Sequence, residues 1–389
     1  MKKIAIIGAN SFQNRLILKA KALGYETHVF AWAAGDVGER TADYFYPISI
    51  AEKEKILEEC RRIRPDAVCS IASDLAVLTV NFVARELGLT ANPASCDYIA
   101  TNKYAMRAAL REAGLYTPRN VKITQEELEG TQPVIDLEYP VIVKPTDRSG
   151  SRAITKLESP EGLAAALREA IEPSFEKAAI VEEYIDGKEF SCESISYRGQ
   201  HTMLAITEKF TTGAPKFIET AHIEPAPLDG ESVKNVWDCV SRALDALHIE
   251  NGAAHAEFRV DARGRVKIIE IGARMGGGCI GSDLVQLSTG YDFVKMVLDV
   301  ALGNEPDLRR QGRGQYAGIR FLMDHSELDT IKETKDSLAG LVSLEIETET
   351  EHDVVDCGSR YGFFIVTGET YDAVKDQLTA GVLKPGAAG

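Results

Sequence analysis

Apolar positions along this chain recur with two periods, and the first hundred residues are the easiest to read. Residues 3–8 form a short apolar run ending at Gly8, the pattern of a buried parallel strand closed by a glycine turn. Residues 11–23 follow helical spacing and stop at Gly24. Residues 26–30 read as a second strand, 52–63 as a helix halted near Pro65, 67–71 as a strand, and 76–87 as a helix closed by Gly88. Strands alternating with helices predict a parallel α/β unit over residues 1–98. At its strand ends Asn10, Ser73 and Asp74 are candidates to line a cleft, as open α/β sheets bind ligands there, although ordinary loop polarity explains them equally. His28 sits within a strand and reads as structural.

Further on, a helix begins near Lys103, with Thr101 or Asn102 as its cap, and runs to about residue 113. Residues 138–145 read as a strand ending on Lys144. Near the C-terminus, residues 316–322, 342–346 and 362–368 read as strands and 371–378 as a helix, a small α+β segment over residues 301–389. Its last residues, from Pro385, are expected to be disordered.

Composition narrows the function classes. The 389 residues carry a net charge of −15, which disfavours nucleic acid and anionic membrane as partners, since both need a basic face. Seven cysteines are scattered without CxxC or zinc spacing, as expected of reduced thiols in a cytoplasmic protein. The N-terminal apolar run is too short and interrupted for a signal peptide, and no run approaches the roughly 20 apolar residues of a membrane helix.

The candidate chemistry centres on residues 253–278. Two apolar runs flank residues 261–265, a β-hairpin with Arg263-Gly264 as a two-residue loop. In that register Val260 faces Lys267 and Glu257 falls opposite Glu270. Opposed like charges are unfavourable, and a divalent cation is the simplest compensation. Mg²⁺ takes one or two carboxylates and completes its shell with phosphates and water. Arg274 stands at the strand exit with a fork suited to a phosphate or carboxylate. The run Gly276-Gly277-Gly278 lets backbone N–H groups approach an anion.

Three earlier pieces fit a nucleotide. Lys103 stands at a helix start, where a phosphate is favoured. Lys144 precedes the 147–154 loop, whose Ser149, Gly150 and Ser151 can wrap amides around phosphates, although this is not a P-loop. Residues 178–191 combine a strand end, carboxylates and a turn, with Glu189 placed to accept from a ribose diol. The first glycine turn lacks G-x-G-x-x-G and no acidic residue closes the second strand, so an NAD dehydrogenase ranks last.

These five pieces, in order, resemble the ATP-grasp superfamily, and within it the carboxylate–amine ligases of the L-amino-acid (dipeptide) ligase type. The stretches 219–226 and 276–290 are similar to theirs. The resemblance implies a multidomain α/β and α+β protein: a parallel N-terminal domain (1–98), an ATP-grasp domain (99–300) with a mobile lid (about 118–185), and a C-terminal α+β subdomain (301–389). It implies ATP and Mg²⁺, with Mn²⁺ as an alternative ion. Lys103, Lys144 and the loop would hold phosphates. Glu182, the Glu183 carbonyl and the Ile185 N–H would read adenine, and Glu189 the ribose. Glu257 and Glu270 would hold the metal. Arg274 would meet the transferred phosphate and the reacting carboxylate, with Gly277 and Gly278 stabilising the oxyanion. Glu219 and His222 would lie near the amine substrate, His222 to orient or deprotonate it.

One departure is Gly272, where many members carry Asn. The reaction implied joins a small carboxylate to an amine through an acyl phosphate, in a homodimer. Alternatives are a bicarbonate-activating ATP-grasp enzyme and a non-catalytic nucleotide sensor. Arg320 and Arg360 could reach an anionic substrate, with ordinary ion pairs as the simpler expectation.

Overall fold

The computed structural model describes residues 1–130, 135–312 and 314–382. The end of the chain from Pro385 lies outside the described residues. Three sheets carry the architecture. The first is parallel, in the order Tyr44–Tyr46, Glu26–Phe30, Lys3–Ile7, Ala67–Cys69. In its central strand Ile4 and Ile6 pack into one core while Ala5 and Ile7 pack into another. Burial on both faces is why this run is continuously apolar. Asn10 caps helix Ser11–Ala22, and the Ser73 hydroxyl caps helix Asp74–Glu86 by accepting from the Ala76 N–H. That second cap starts the helix two residues earlier than the apolar spacing predicts, so Asp74 occupies its first turn.

The second sheet is antiparallel, ordered Asn120–Thr124, Ala178–Glu183, Val141–Pro145, Thr155–Leu157, and is covered by helix Leu163–Ile171. The third has eight strands, in the order Val266–Gly272, Gly252–Val260, Lys188–Tyr197, Gln200–Thr211, Glu219–Glu224, Tyr316–Leu322, Gly362–Gly368, Leu341–Ile346. The three C-terminal strands thus extend the sheet that carries Glu219 and Glu257. Helix Lys103–Glu112 is capped by Asn102, whose side chain accepts from Ala105 N.

The hairpin keeps its central pairing by a different route from the one expected. Val260 pairs with Val266 and Arg259 with Lys267, so the connection spans 261–265. The Asp261 carboxylate organises this turn by accepting from the N–H groups of Arg263 (2.9 Å) and Arg265 (3.0 Å). A β-bulge between Glu257 and Phe258 then shifts the register by one and restores Glu257 opposite Glu270.

Candidate active site

The opposed carboxylates are neutralised from two directions. Lys103 Nζ lies 3.0 Å from Glu270 Oε1. Lys209 Nζ, in the strand Gln200–Thr211, lies 2.6 Å from Glu257 Oε1, 2.8 Å from Glu219 Oε1 and 3.9 Å from Glu189 Oε1. Burial works against ionising Glu257, but Lys209 and a hydrogen bond from His255 outweigh it and hold the carboxyl well below its usual range. His255 bridges to Glu257 (3.2 Å) and to the fully buried Glu193. Against the cost of burial, Glu193 and Glu257 push the imidazole up to about 9. The other oxygen of Glu193 accepts from Gly276 N at 2.9 Å. The first amide of the glycine run is therefore committed to the protein rather than free for an anion.

Lys144 emerges from Val141–Pro145 and reaches Glu182 Oε1 at 2.5 Å. Arg107 grips the same carboxylate through Nε (2.9 Å) and Nη2 (3.2 Å). Burial resists the charge on Glu182, yet Arg107 and Lys144 bring its pKa down to about 2. Burial and the neighbouring Arg107 and Lys103 lower Lys144, against the pull of Glu182. The Glu182 side chain, expected to read adenine, is thus closed into an ion-pair cluster with Lys144 and Arg107.

The apolar slot beside it is framed by Tyr184 and Phe217, whose rings stack 6.2 Å apart, with Arg259 over Tyr184 at 4.9 Å. Arg259 also donates to the Ile185 carbonyl (2.6 Å) and to Glu189 Oε2 (2.8 Å), fixing the two residues expected to meet adenine and ribose. The 147–154 loop turns through Gly150 (φ 77°) and Ser151 (φ 56°), and the Ser151 hydroxyl donates to the Phe217 carbonyl at 3.1 Å.

Arg274 donates to both oxygens of Asp74, at 2.9 and 3.0 Å. Burial raises the Asp74 carboxyl, but Arg274 more than offsets this and lowers it. A Cβ at Gly272 would lie 2.6 Å from Asp74 Oδ1, so glycine at 272 is what admits this carboxylate.

One cleft gathers most of these groups. It is lined by Lys103, Lys144, Ser149, Gly150, Ser151, Glu182, Glu183, Ile185, Glu189, Lys209, Glu219, Glu257, Glu270, Gly272 and Arg274. His222, Gly277 and Gly278 lie outside that lining; His222 adjoins Glu219, and a Cβ at Gly278 would lie 3.8 Å from His222 Nε2. His222 is fully buried, edge-on to Phe321, and 3.6 Å from Glu219 Oε2; burial lowers its pKa and keeps it neutral. Arg320 forms the ordinary ion pair expected, with Glu327 at 2.5 Å. Among the described residues no three His, Cys, Asp or Glu side chains are grouped to hold a metal. The Glu257–Glu270 pair fits a hard cation that draws its remaining ligands from phosphates and water.

Arg107, Lys209, Arg259 and the role of Asp74 were not apparent from sequence.

Residues 137–283 match the family model of the ATP-grasp domain. The chain therefore carries an ATP-grasp domain, set in the α/β frame described above. It resembles the carboxylate–amine ligases. The alanine–anticapsin ligase of Bacillus amyloliquefaciens is 26% identical over 308 residues, 70% of this chain and 64% of that protein. A D-alanine–D-alanine ligase of Pseudomonas putida is 28% identical over 210 residues, 52% of this chain and again 64% of that protein. The chain thus spans slightly less than two thirds of these relatives. In fold it is similar to the crystal structure of an L-amino acid ligase from Bacillus licheniformis, with a TM-score of 0.83 at 23% identity, covering 98% of this chain and 97% of that one.

Proposed function

We propose that this protein is an ATP-dependent carbon–nitrogen ligase that activates a small carboxylate as an acyl phosphate and joins it to an amine, most simply an amino acid. The observation that supports this best is the Glu257–Glu270 pair, engaged by Lys103 and Lys209 in one cleft that Lys144 and Arg274 also line. Phosphoryl transfer needs positioning and charge neutralisation more than covalent help from protein. The carboxylate oxygen forms a bond to the γ-phosphorus as the bond to ADP breaks. The amine nitrogen then attacks the acyl carbon, and phosphate departs as the amide forms.

In this reading Lys103, Lys144 and the Ser149–Ser151 loop hold phosphates, and Arg274 holds the transferred phosphoryl group. Glu189 and the Ile185 backbone position the nucleoside. Glu257 and Glu270 would hold Mg²⁺, or Mn²⁺, which supplies charge neutralisation on the phosphates. The Gly277 and Gly278 amides stabilise the tetrahedral oxyanion. The neutral His222 accepts the amine proton beside Glu219. Residues 1–98, 99–300 and 301–389 are the working units, with about 118–185 as the lid. The scattered cysteines suit reduced thiols in the cytoplasm, and a homodimer is the assembly proposed.

The test is phosphate release from ATP and Mg²⁺ across pairwise mixtures of amino acids and small carboxylates, with products read by mass spectrometry. Release that needs one particular pair is expected. Release with bicarbonate alone would instead indicate a bicarbonate-activating enzyme, and tight ATP binding without release from any mixture would indicate a sensor.

A further inference from the structure

Arg360 lies just before the strand Gly362–Gly368, and its side chain is 8% exposed. Buried charges are ordinarily paired and hydrogen-bonded. Arg360 has five N–H donors, yet its one hydrogen bond among the described residues runs from Nη1 to the Glu219 carbonyl at 3.4 Å. The nearest carboxylate oxygen, Glu219 Oε2, is 3.9 Å away, and Glu219 is engaged more closely by Lys209. Glu347 also feels the field of Arg360 but makes no ion pair with it within 4.0 Å. Arg320, by contrast, makes a close ion pair with Glu327 through Nη2.

The guanidinium lies over an aromatic ring: its carbon stands 3.6 Å from the centre of Phe321. Such stacking orients the fork without using its donors. Around the same ring sits His222, whose ring nitrogens make no hydrogen bond among the described residues, with Nε2 3.6 Å from Glu219 Oε2. The glycine turn abuts both, since a Cβ on Gly278 would lie 3.0 Å from Phe321 and 3.8 Å from His222 Nε2. A Cβ on Gly277 would meet only Ala72, at 3.9 Å, so this side of the turn has room. Cys357, three residues before Arg360, lies 3.9 Å from the Ser151 hydroxyl and from Glu219 Oε2. Arg360 therefore stands where the phosphate loop, the Glu219–His222 pair and the C-terminal segment meet.

We propose that Arg360 binds the carboxylate of the amine-bearing substrate, so that the acceptor is an amino acid with a free carboxylate rather than a simple amine. The assignment rests on the ligase reading above. With its carboxylate on the stacked fork, the acceptor directs its amine toward His222 and the glycine turn. Arg360 is then a specificity-determining residue, and it sets the Michaelis constant for the acceptor rather than for ATP.

The test compares the acceptor amino acid with its carboxamide in whichever pair supports phosphate release. A carboxamide cannot be phosphorylated, so it serves only as acceptor. Wild type should use the free acid at least ten-fold better by kcat/KM. Arg360→Gln should raise KM for the free acid about 30-fold to 100-fold, the scale of a lost charge-assisted contact. It should leave KM for ATP unchanged and erase the acid–amide preference. Should Arg360→Gln fail to fold, Arg360→Lys keeps the charge without the fork and should raise KM for the acid about ten-fold, with the carboxamide unaffected.

Equal use of acid and carboxamide by wild type would overturn the assignment, as would a preference that survives in folded Arg360→Gln. Absence of any pair-dependent release is a different result, which removes the ligase reading and this assignment together.

Discussion

Asp74 and Arg274 are 200 residues apart in sequence and meet as a two-point ion pair, Oδ1 to Nε at 2.9 Å and Oδ2 to Nη2 at 3.0 Å. Asp74 opens the helix after the strand Ala67–Cys69, and Arg274 follows the strand Val266–Gly272. The parallel N-terminal sheet thus reaches across to hold the arginine proposed to meet the transferred phosphate. The remaining nitrogen, Nη1, donates to the Met275 carbonyl at 3.3 Å, so the guanidinium plane is set from two sides.

Asp74→Asn should therefore lower kcat by about 10-fold to 100-fold with little change in KM for ATP, because misplacing a stabilising group by about 1 Å carries a cost on that scale. Gly272→Asn should do the same by driving a side chain into the Asp74 carboxylate. Steady-state kinetics on both variants check this. Wild-type kcat in folded Asp74→Asn would mean that Arg274 does not depend on its partner.

Lys209 joins three carboxylates that sequence reading kept apart. Lys209→Met removes the shared cation and leaves Glu189, Glu219 and Glu257 facing one another. Breaking a buried pair from one side costs on the order of 3–5 kcal/mol, so denaturant midpoints should fall markedly. Turnover should be lost along with them. A Lys209→Met variant with an unchanged midpoint would show that the three acids are solvated well enough without it.

Lys209 also marks the limit of what the sequence discloses. The parallel unit was legible because its inner strands are buried and two of its helices stop at Gly24 and Gly88. The Glu257–Glu270 opposition was legible because a hairpin is local, although the bulge that enforces it was not. The partners of Glu182, Glu189 and Glu257 were illegible. Arg107, Arg259 and Lys209 lie 75, 70 and 48 residues away in chain, and nothing local distinguishes them from surface charges. Likewise, Asp74 reads as a cleft-lining residue or as ordinary loop polarity until Arg274 is placed beside it.

The metal assignment has its own signature. Glu257→Gln and Glu270→Gln should each raise the Mg²⁺ concentration needed for half-maximal activity by about ten-fold or more, since these two carboxylates are the protein ligands proposed for the cation. Chelation with EDTA should abolish phosphate release, and added Mg²⁺ should restore it. Equal Mg²⁺ requirements in wild type and Glu270→Gln would move the cation away from this pair.

The stability of the fold should carry a pH dependence from a group outside the chemistry. Glu224 is completely buried on the strand Glu219–Glu224, accepting from the Thr207 hydroxyl at 2.6 Å and from Ser288 at 2.5 Å. Burial dominates and raises its pKa from 4.5 to about 7, against the two hydroxyls. A carboxyl with a raised pKa in the folded state favours folding while it is protonated. Its contribution is complete below pH 4.5, declines as pH rises from there to about 7, and is gone above that. A shift of this size amounts to on the order of 3 kcal/mol. Thermal midpoints of the wild type should therefore fall between pH 5 and 7.5 by more than those of Glu224→Gln, which keeps the shape and the neutral charge throughout. Parallel pH profiles for the two proteins would show that Glu224 does not titrate in this range.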